Sequence, residues 1–162
     1  DTETGLICYA TTGGGSHRFN PNLYANGKVC LSLLGTWQGE PWIPNVSTLY
    51  QVFVSIYGLI FVDEPYFNEP GYQNSRGTPR GDSANAAYNA QQRYKTVELA
   101  MLNQLKKPTP EFADAIGCHF TLRKEAIMSM VHQWSTLNSE VSASTHKMSS
   151  QITSLEKLMK KM

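Results

Sequence analysis

The chain has 162 residues, with 14 Lys and Arg against 13 Asp and Glu and a formal net charge of +1. That is the size of one globular domain, and it lacks the surplus of basic charge that a general nucleic-acid or polyanion binder needs. Residues of the AVILMFWYC set make up 41% and charged residues 17%, against a usual ~25% charged, so the sequence can fill a core and is not disordered throughout.

Residues 5–12 are apolar and β-branched and are expected to form a strand, ended by the turn Gly13-Gly14-Gly15. No Gly-Lys-Ser/Thr follows these glycines, so a phosphate cradle is not expected. From Ser16 to Trp42 the sequence is rich in Asn, Pro and Gly and reads as loop, with one apolar island at Val29–Leu34. Thr48 and Gln51 have capping-box spacing and predict a helix start. Leu49, Val52, Phe53, Ile56, Leu59 and Ile60 then form a stripe expected to face a core, with Pro65 as the stop. Tyr50, Val54, Tyr57 and Phe61 lie off that stripe, so this helix is either buried on both sides or presents a partner-binding face.

Residues 64–83 have no periodicity and read as an extended loop. Helical sequence is expected from Ala84 to Lys107, with Tyr94, Val97, Met101 and Leu105 inward, and it restarts at Thr109-Pro110. Phe112, Ile116, Phe120, Ile127, Val131 and Trp134 continue the apolar spacing. Beyond Trp134 the composition turns to Ser, Thr and Lys. Val141, Met148, Leu155 and Met162 fall seven apart, a pattern that suits either a weak coiled coil or a frayed, solvent-exposed helical tail. The division expected is therefore a core over 1–134 and a tail over 135–162.

Cys8, Cys30 and Cys118 have neither CxxC nor regular spacing, which argues against a disulfide framework or a structural zinc and for a reducing compartment, cytoplasmic or nuclear. The four histidines lack metal spacing, so no metal or other cofactor is expected. His119, beside Phe120, reads as a satisfied helix residue. The longest apolar run, Val52 to Val62, falls short of the ~20 residues of a membrane span. No signal-peptide pattern is recognised. Neither a membrane nor a nucleic acid is expected as a partner. Cys8 and Cys118 read as small buried hydrophobes. Cys30 differs, because it follows an Asn-Gly turn on a loop-like segment where a thiol can be both fixed and reachable. With no His in view, peptidase chemistry is disfavoured, whereas exchange of one thioester for another asks only for an ordinary thiol.

The segments Phe19-Asn20-Pro21-Asn22-Leu23-Tyr24, Gly27-Lys28-Val29-Cys30-Leu31 and Trp42-Ile43-Pro44 resemble the active-site signature of ubiquitin-conjugating (E2) enzymes, with Asn22 and Cys30 eight apart. Thr11–Gly15, Thr36-Trp37, Glu64–Tyr72 and Arg76-Gly77-Thr78 are similar to the large E2/E3 hybrid branch, BRUCE/Apollon-like. The resemblance implies an α+β UBC fold, an antiparallel sheet with C-terminal helices. It further implies that the first helix, the first two strands and a proline loop of the family have no counterpart ahead of Leu6. With Asp at position 1, the chain then reads as the later part of a conjugating domain from something longer.

The resemblance also assigns roles. Cys30 would carry ubiquitin as a thioester and pass it to a lysine. Asn22 would donate to the oxyanion or brace the loop, Glu69 would position the lysine, and Val54 would pack against bound ubiquitin. Asn20 stands where the family has His, Phe19 where it often has Tyr, and Ser32 where it often has an acidic residue. Ubiquitin, the activating enzyme, and a ligase or in-chain ligase region are the implied partners. The alternative reading is a non-catalytic E2-like remnant that binds ubiquitin or another partner.

Overall fold

In the computed structural model, which describes residues 7–11, 15–141 and 148–162, Thr48 starts the first helix through the expected capping box. Its Oγ1 accepts from the Gln51 N–H, and Gln51 Oε1 accepts from the Thr48 N–H at 2.7 Å. Helix α1 spans Leu49–Ser55 and continues as a wider π-helical turn over Ile56–Ile60. It ends there, ahead of Pro65.

The stripe on this helix is narrower than its sequence suggests. Val52 and Ile60 are buried and Ile56 packs beside them, but Leu49, Phe53 and Leu59 are exposed, as are Tyr50, Val54, Tyr57 and Phe61. The buried row is i, i+4, i+8, and the wide turn after Ser55 brings Ile60 rather than Leu59 onto it. The cluster that receives it is small: Leu23, Val29, Leu31, Val52 and Ile60, flanked by Phe19, Leu34 and Trp42 among others. A core of that width covers one row of a helix, so the helix is not buried on both sides.

The chain divides into two compact units, 1–85 and 86–162. In the first, the expected sheet reduces, among the described residues, to three antiparallel bridges: Tyr9 with Lys28, Asn20 with Leu23, and Leu23 with Val29. Part of the strand expected over 5–12, with Gly13 and Gly14, lies outside the described residues. Among the described residues 7–11, the bridge is at Tyr9, with the Ala10 N–H donating to Gly27 O at 2.7 Å. Residues 64–83 are not one long loop. They form 3₁₀ turns at Pro65–Asn68 and Tyr72–Ser75, and helix α2 (Pro79–Lys95) begins five residues before Ala84. Thr78-Pro79 is its start signal, with Thr78 Oγ1 accepting from the Gly81 N–H at 3.1 Å.

In the second unit, α2 passes into a π-helical stretch, Thr96–Leu102, and then α3 (Asn103–Lys106). A 3₁₀ turn at Pro110–Phe112 leads into α4 (Ala113–Leu122), which is followed by α5 (Lys124–Glu140) and α6 (Ser149–Met159). Val97, Met101, Leu102, Phe120, Ile127 and Val131 share one core with Met148, Ile152, Leu155 and Met159. The serine-rich segment is therefore not solvent-exposed along its whole length: Met148, Ile152, Leu155 and Met159, at steps of four, three and four, are buried, whereas Met162 is exposed. Phe112 is exposed, outside the stripe expected to include it. Cys118 is exposed as well, because Ile116 and Phe120 take the inward face of α4. His119 stacks edge-on against Phe120, ring centres 5.5 Å apart.

Two buried amides tie helices of this unit together by donating to helix carbonyls, Asn138 Nδ2 to Ala90 O at 2.9 Å and Gln151 Nε2 to Tyr94 O at 3.2 Å. Arg93, whose guanidinium burial pushes below its ordinary pKa, donates to Asn138 Oδ1. No helix among the described residues is long and apolar enough to cross a membrane. Leu155 is fully buried and Leu122 is 76% exposed. Leu155→Ala is expected to lower the unfolding free energy by about 2–5 kcal/mol in urea titrations and Leu122→Ala by less than about 0.5 kcal/mol.

Candidate functional site around Cys30

Asn20 and Asn22 shape this site. Asn20 is 2% exposed, and its Oδ1 accepts from the Asn22 N–H at 2.8 Å, an Asx turn around Pro21. Its Nδ2 donates to the Ile60 carbonyl at 2.9 Å. That carbonyl is one of those left open where α1 ends; Asn68 Nδ2 takes its neighbour, Leu59 O, at 2.8 Å and lies 3.4 Å from Asn20 Oδ1. One buried side chain thus fastens the Asn20–Asn22 turn to the end of α1. The brace that the family's His would give falls to an amide here.

From that turn the geometry passes to the cysteine. The Cys30 N–H donates to Asn22 O at 2.8 Å, and Asn22 Nδ2 donates back to Cys30 O at 2.9 Å. Both backbone polar groups of Cys30 are therefore held by one residue. Thr36 holds the residues on either side: its Oγ1 accepts from the Leu31 N–H at 3.0 Å and donates to Val29 O at 2.7 Å. The turn that delivers the segment needs a glycine at position 27. Gly27 has φ +90°, and a Cβ there would lie 2.9 Å from Ala10 O.

Val29 and Leu31 point into the apolar cluster and Cys30 does not, yet Cys30 is 3% exposed. The accessible thiol expected from sequence is thus covered. The hydrogen bonds to Asn22 and Thr36 draw the segment inward, which a loop-rich sequence does not reveal. A cavity of about 210 Å³ lies against Val29 and Thr36, with Cys8, Tyr9, Asn26 and Lys28 in its wall, but Cys30 does not line it. Cys8 is half-buried beside the cluster.

Of the residues singled out by sequence, Cys30 and Asn22 are in direct contact. Glu69 joins them at one remove: its carboxylate pairs with Arg18 at 3.2 Å, and Arg18 Nη2 donates to Pro21 O at 2.6 Å. Val54 stands apart, exposed on α1. Sequence reasoning gave Asn20 no more than a place in the motif and missed Arg18, Thr36 and Asn68 as builders of the site. The Asn-Pro-Asn turn carries a local signal for Asn20; Arg18 and Asn68 act across about fifty residues and leave none. Among the described residues, no group of three or more His, Cys, Asp or Glu is placed to hold a metal ion.

The model of the ubiquitin-conjugating enzyme family matches residues 11–111. The chain belongs to the ubiquitin-conjugating enzyme family. It is 51% identical over 132 residues to the human dual E2 ubiquitin-conjugating enzyme/E3 ubiquitin-protein ligase BIRC6, a match covering 80% of this chain and 3% of that protein. It is 48% identical over 132 residues to the probable ubiquitin-conjugating enzyme E2 R521 of Acanthamoeba polyphaga mimivirus, covering 80% of this chain and 9% of the relative. It is 51% identical over 129 residues to the probable ubiquitin-conjugating enzyme protein 17 of Caenorhabditis elegans, covering 78% of this chain and 18% of the relative. The chain thus spans under a fifth of the length of each.

Within this member of the ubiquitin-conjugating family, the buried Asn20 amide has a measurable weight. Asn20→Ala orphans the Asn22 N–H and the Ile60 carbonyl and is expected to cost about 1–3 kcal/mol by urea denaturation. Asn20→Asp keeps the acceptor but removes the donor and buries a charge, and is expected to cost more than Asn20→Ala.

Proposed function

We propose that the chain transfers ubiquitin to substrate lysines through a thioester on Cys30. The observation that carries this reading is the reciprocal pair between Asn22 and Cys30, set within the segment that matches the family. It fixes the cysteine backbone at two points, which suits a residue that must present an acyl group to a second nucleophile. The Cys30 thiolate attacks the thioester carbonyl of ubiquitin held by the activating enzyme; a new C–S bond forms and the enzyme's thiolate leaves. A neutral lysine amine then attacks the same carbonyl, the isopeptide C–N bond forms, and Cys30 leaves as thiolate while the nitrogen loses its proton.

Asn22 acts as the brace of this loop rather than as an oxyanion donor. Its Nδ2 is committed to the Cys30 carbonyl, which supports the first role. Glu69, paired with the Arg18 that donates to Pro21 O, positions the incoming lysine, and Val54, exposed on α1, contacts the carried ubiquitin. Because Cys30 is covered, a local opening precedes loading. The conjugating core is assigned to 1–134, and the match over 11–111 lies within it; α5 runs across that boundary and α6 packs into the same core as residues 97–131. The partners are ubiquitin, the activating enzyme and a ligase, separate or in the same longer chain. The free cysteines suit a reducing cytoplasmic or nuclear setting.

Incubation with activating enzyme, ATP and ubiquitin is expected to give one adduct, visible on non-reducing gels and lost on reduction. Cys30→Ala abolishes it, and Cys30→Ser replaces it with an oxyester that withstands reductant. A folded protein that gives no adduct, or one loaded at Cys118, would contradict the proposal and favour a non-catalytic module that binds ubiquitin.

A further inference from the structure

The two peptide groups on either side of the Cys30 Cα have all four of their polar atoms paired, and two residues do it. Asn22 takes one edge, the Cys30 N–H and C=O. Thr36 takes the other, where its Oγ1 donates to Val29 O at 2.7 Å and accepts from the Leu31 N–H at 3.0 Å. The two edges are not equally anchored. Asn22 sits between the buried Pro21 and Leu23, and its own N–H is held by Asn20. Thr36 opens a solvent-facing stretch: Trp37, Gln38, Gly39 and Glu40 are exposed, and from Trp37 to Trp42 no group hydrogen-bonds to a described residue.

This stretch folds back against Ser32, two residues beyond Cys30. The approach is so close that a Cβ on Gly39 would lie 3.0 Å from Ser32 Cβ, and Gly39 has φ +133°, a backbone that favours glycine. Its hydrogen bonds to the segment are those of Thr36, the hydroxyl and a long 3.3 Å bond from the N–H to Leu31 O. A segment with so few polar ties belongs to the low-stability end of a fold, where local opening occurs. The cavity bounded by Val29 and Thr36 leaves room beside the same edge. We propose that residues 36–42 are a strap that gates the buried Cys30 and that the Thr36 hydroxyl is its latch: the opening that uncovers the thiol breaks the Thr36 edge and keeps the Asn22 edge. This rests on the transfer reaction proposed above for its use and names how access to that site is controlled. Thr36 is a positioning residue; it acts on Cys30 through Val29 and Leu31.

The test uses the full chain without ubiquitin. It follows amide exchange at Leu31 and Cys30, and alkylation of each cysteine by iodoacetamide, read by peptide mass spectrometry. The Leu31 amide, bonded to the latch, is expected to exchange at least about tenfold faster than the Cys30 amide, bonded to Asn22 O, once intrinsic rates are corrected for. Cys30 alkylation should stay nearly flat in urea below the unfolding transition, because a local opening exposes little surface. Thr36→Val, which leaves Val29 O and the Leu31 N–H unpaired, should speed Cys30 alkylation about tenfold or more, and Thr36→Ser should stay within about threefold of the native chain. Cys118, exposed on α4, should be unaffected by either. A Leu31 amide no faster than the Cys30 amide overturns the latch. So does Cys30 alkylation that climbs steeply in low urea, or a folded Thr36→Val chain that is alkylated at the native rate. The amide and urea readings come from the unmodified chain and decide the matter even if Thr36→Val fails to fold. A latch seen in a chain that forms no ubiquitin adduct leaves the gate standing and overturns the transfer reading; a Cys30 adduct with both amides equally protected does the reverse.

Discussion

The site depends on the buried carboxamide of Asn20. It bonds in two directions at once, accepting from the Asn22 N–H and donating to the Ile60 carbonyl. Without it, the turn that bears Asn22 and the end of α1 would each leave a polar group unpaired in the interior, a cost comparable to a sizeable part of a small domain's net stability. The rest follows in sequence. Asn22, once placed, closes its reciprocal pair with Cys30, and Thr36 spans the cysteine from its other side.

The same joint accounts for the shape of α1. A helix end needs partners for its last carbonyls, and Asn20 and Asn68 supply them at Ile60 and Leu59. Their demand fixes where the helix stops and which residue of the final turn faces the core. The consequence is a helix with a single buried row and a broad apolar face, including Tyr50, Phe53 and Tyr57, left in contact with solvent.

Much of the fold was legible in sequence wherever the signal was local. The capping box at Thr48, the restart at Thr109-Pro110 and the inward stripe of Val97 and Met101 each come from spacing within one or two turns. The misreadings are non-local. The seven-residue spacing of Met148 and Leu155 looked like a weak seam until Ile152 and Met159, four residues after each, are seen to complete the face that α6 buries. Burial of Cys30 depends on hydrogen bonds from Asn22 and Thr36, and the ion pair of Glu69 depends on a residue 51 positions earlier. Motif order singled out the cysteine and the asparagine that the fold brings into contact with it. It could not reveal that the carboxylate is already paired.

The two asparagines hold the Cys30 backbone in place, so the thioester chemistry proposed for it would start from a braced rather than a loose segment. Hydrogen exchange of the Cys30 amide, followed residue by residue in the intact chain and in Asn20→Ala and Asn22→Ala, tests it most directly. A braced segment gives a protected amide in the native chain and exchange at least about tenfold faster in both variants, equivalent to about 1.4 kcal/mol of lost local protection. Exchange that is already fast in the native chain, or unchanged in both variants while they remain folded, would contradict it.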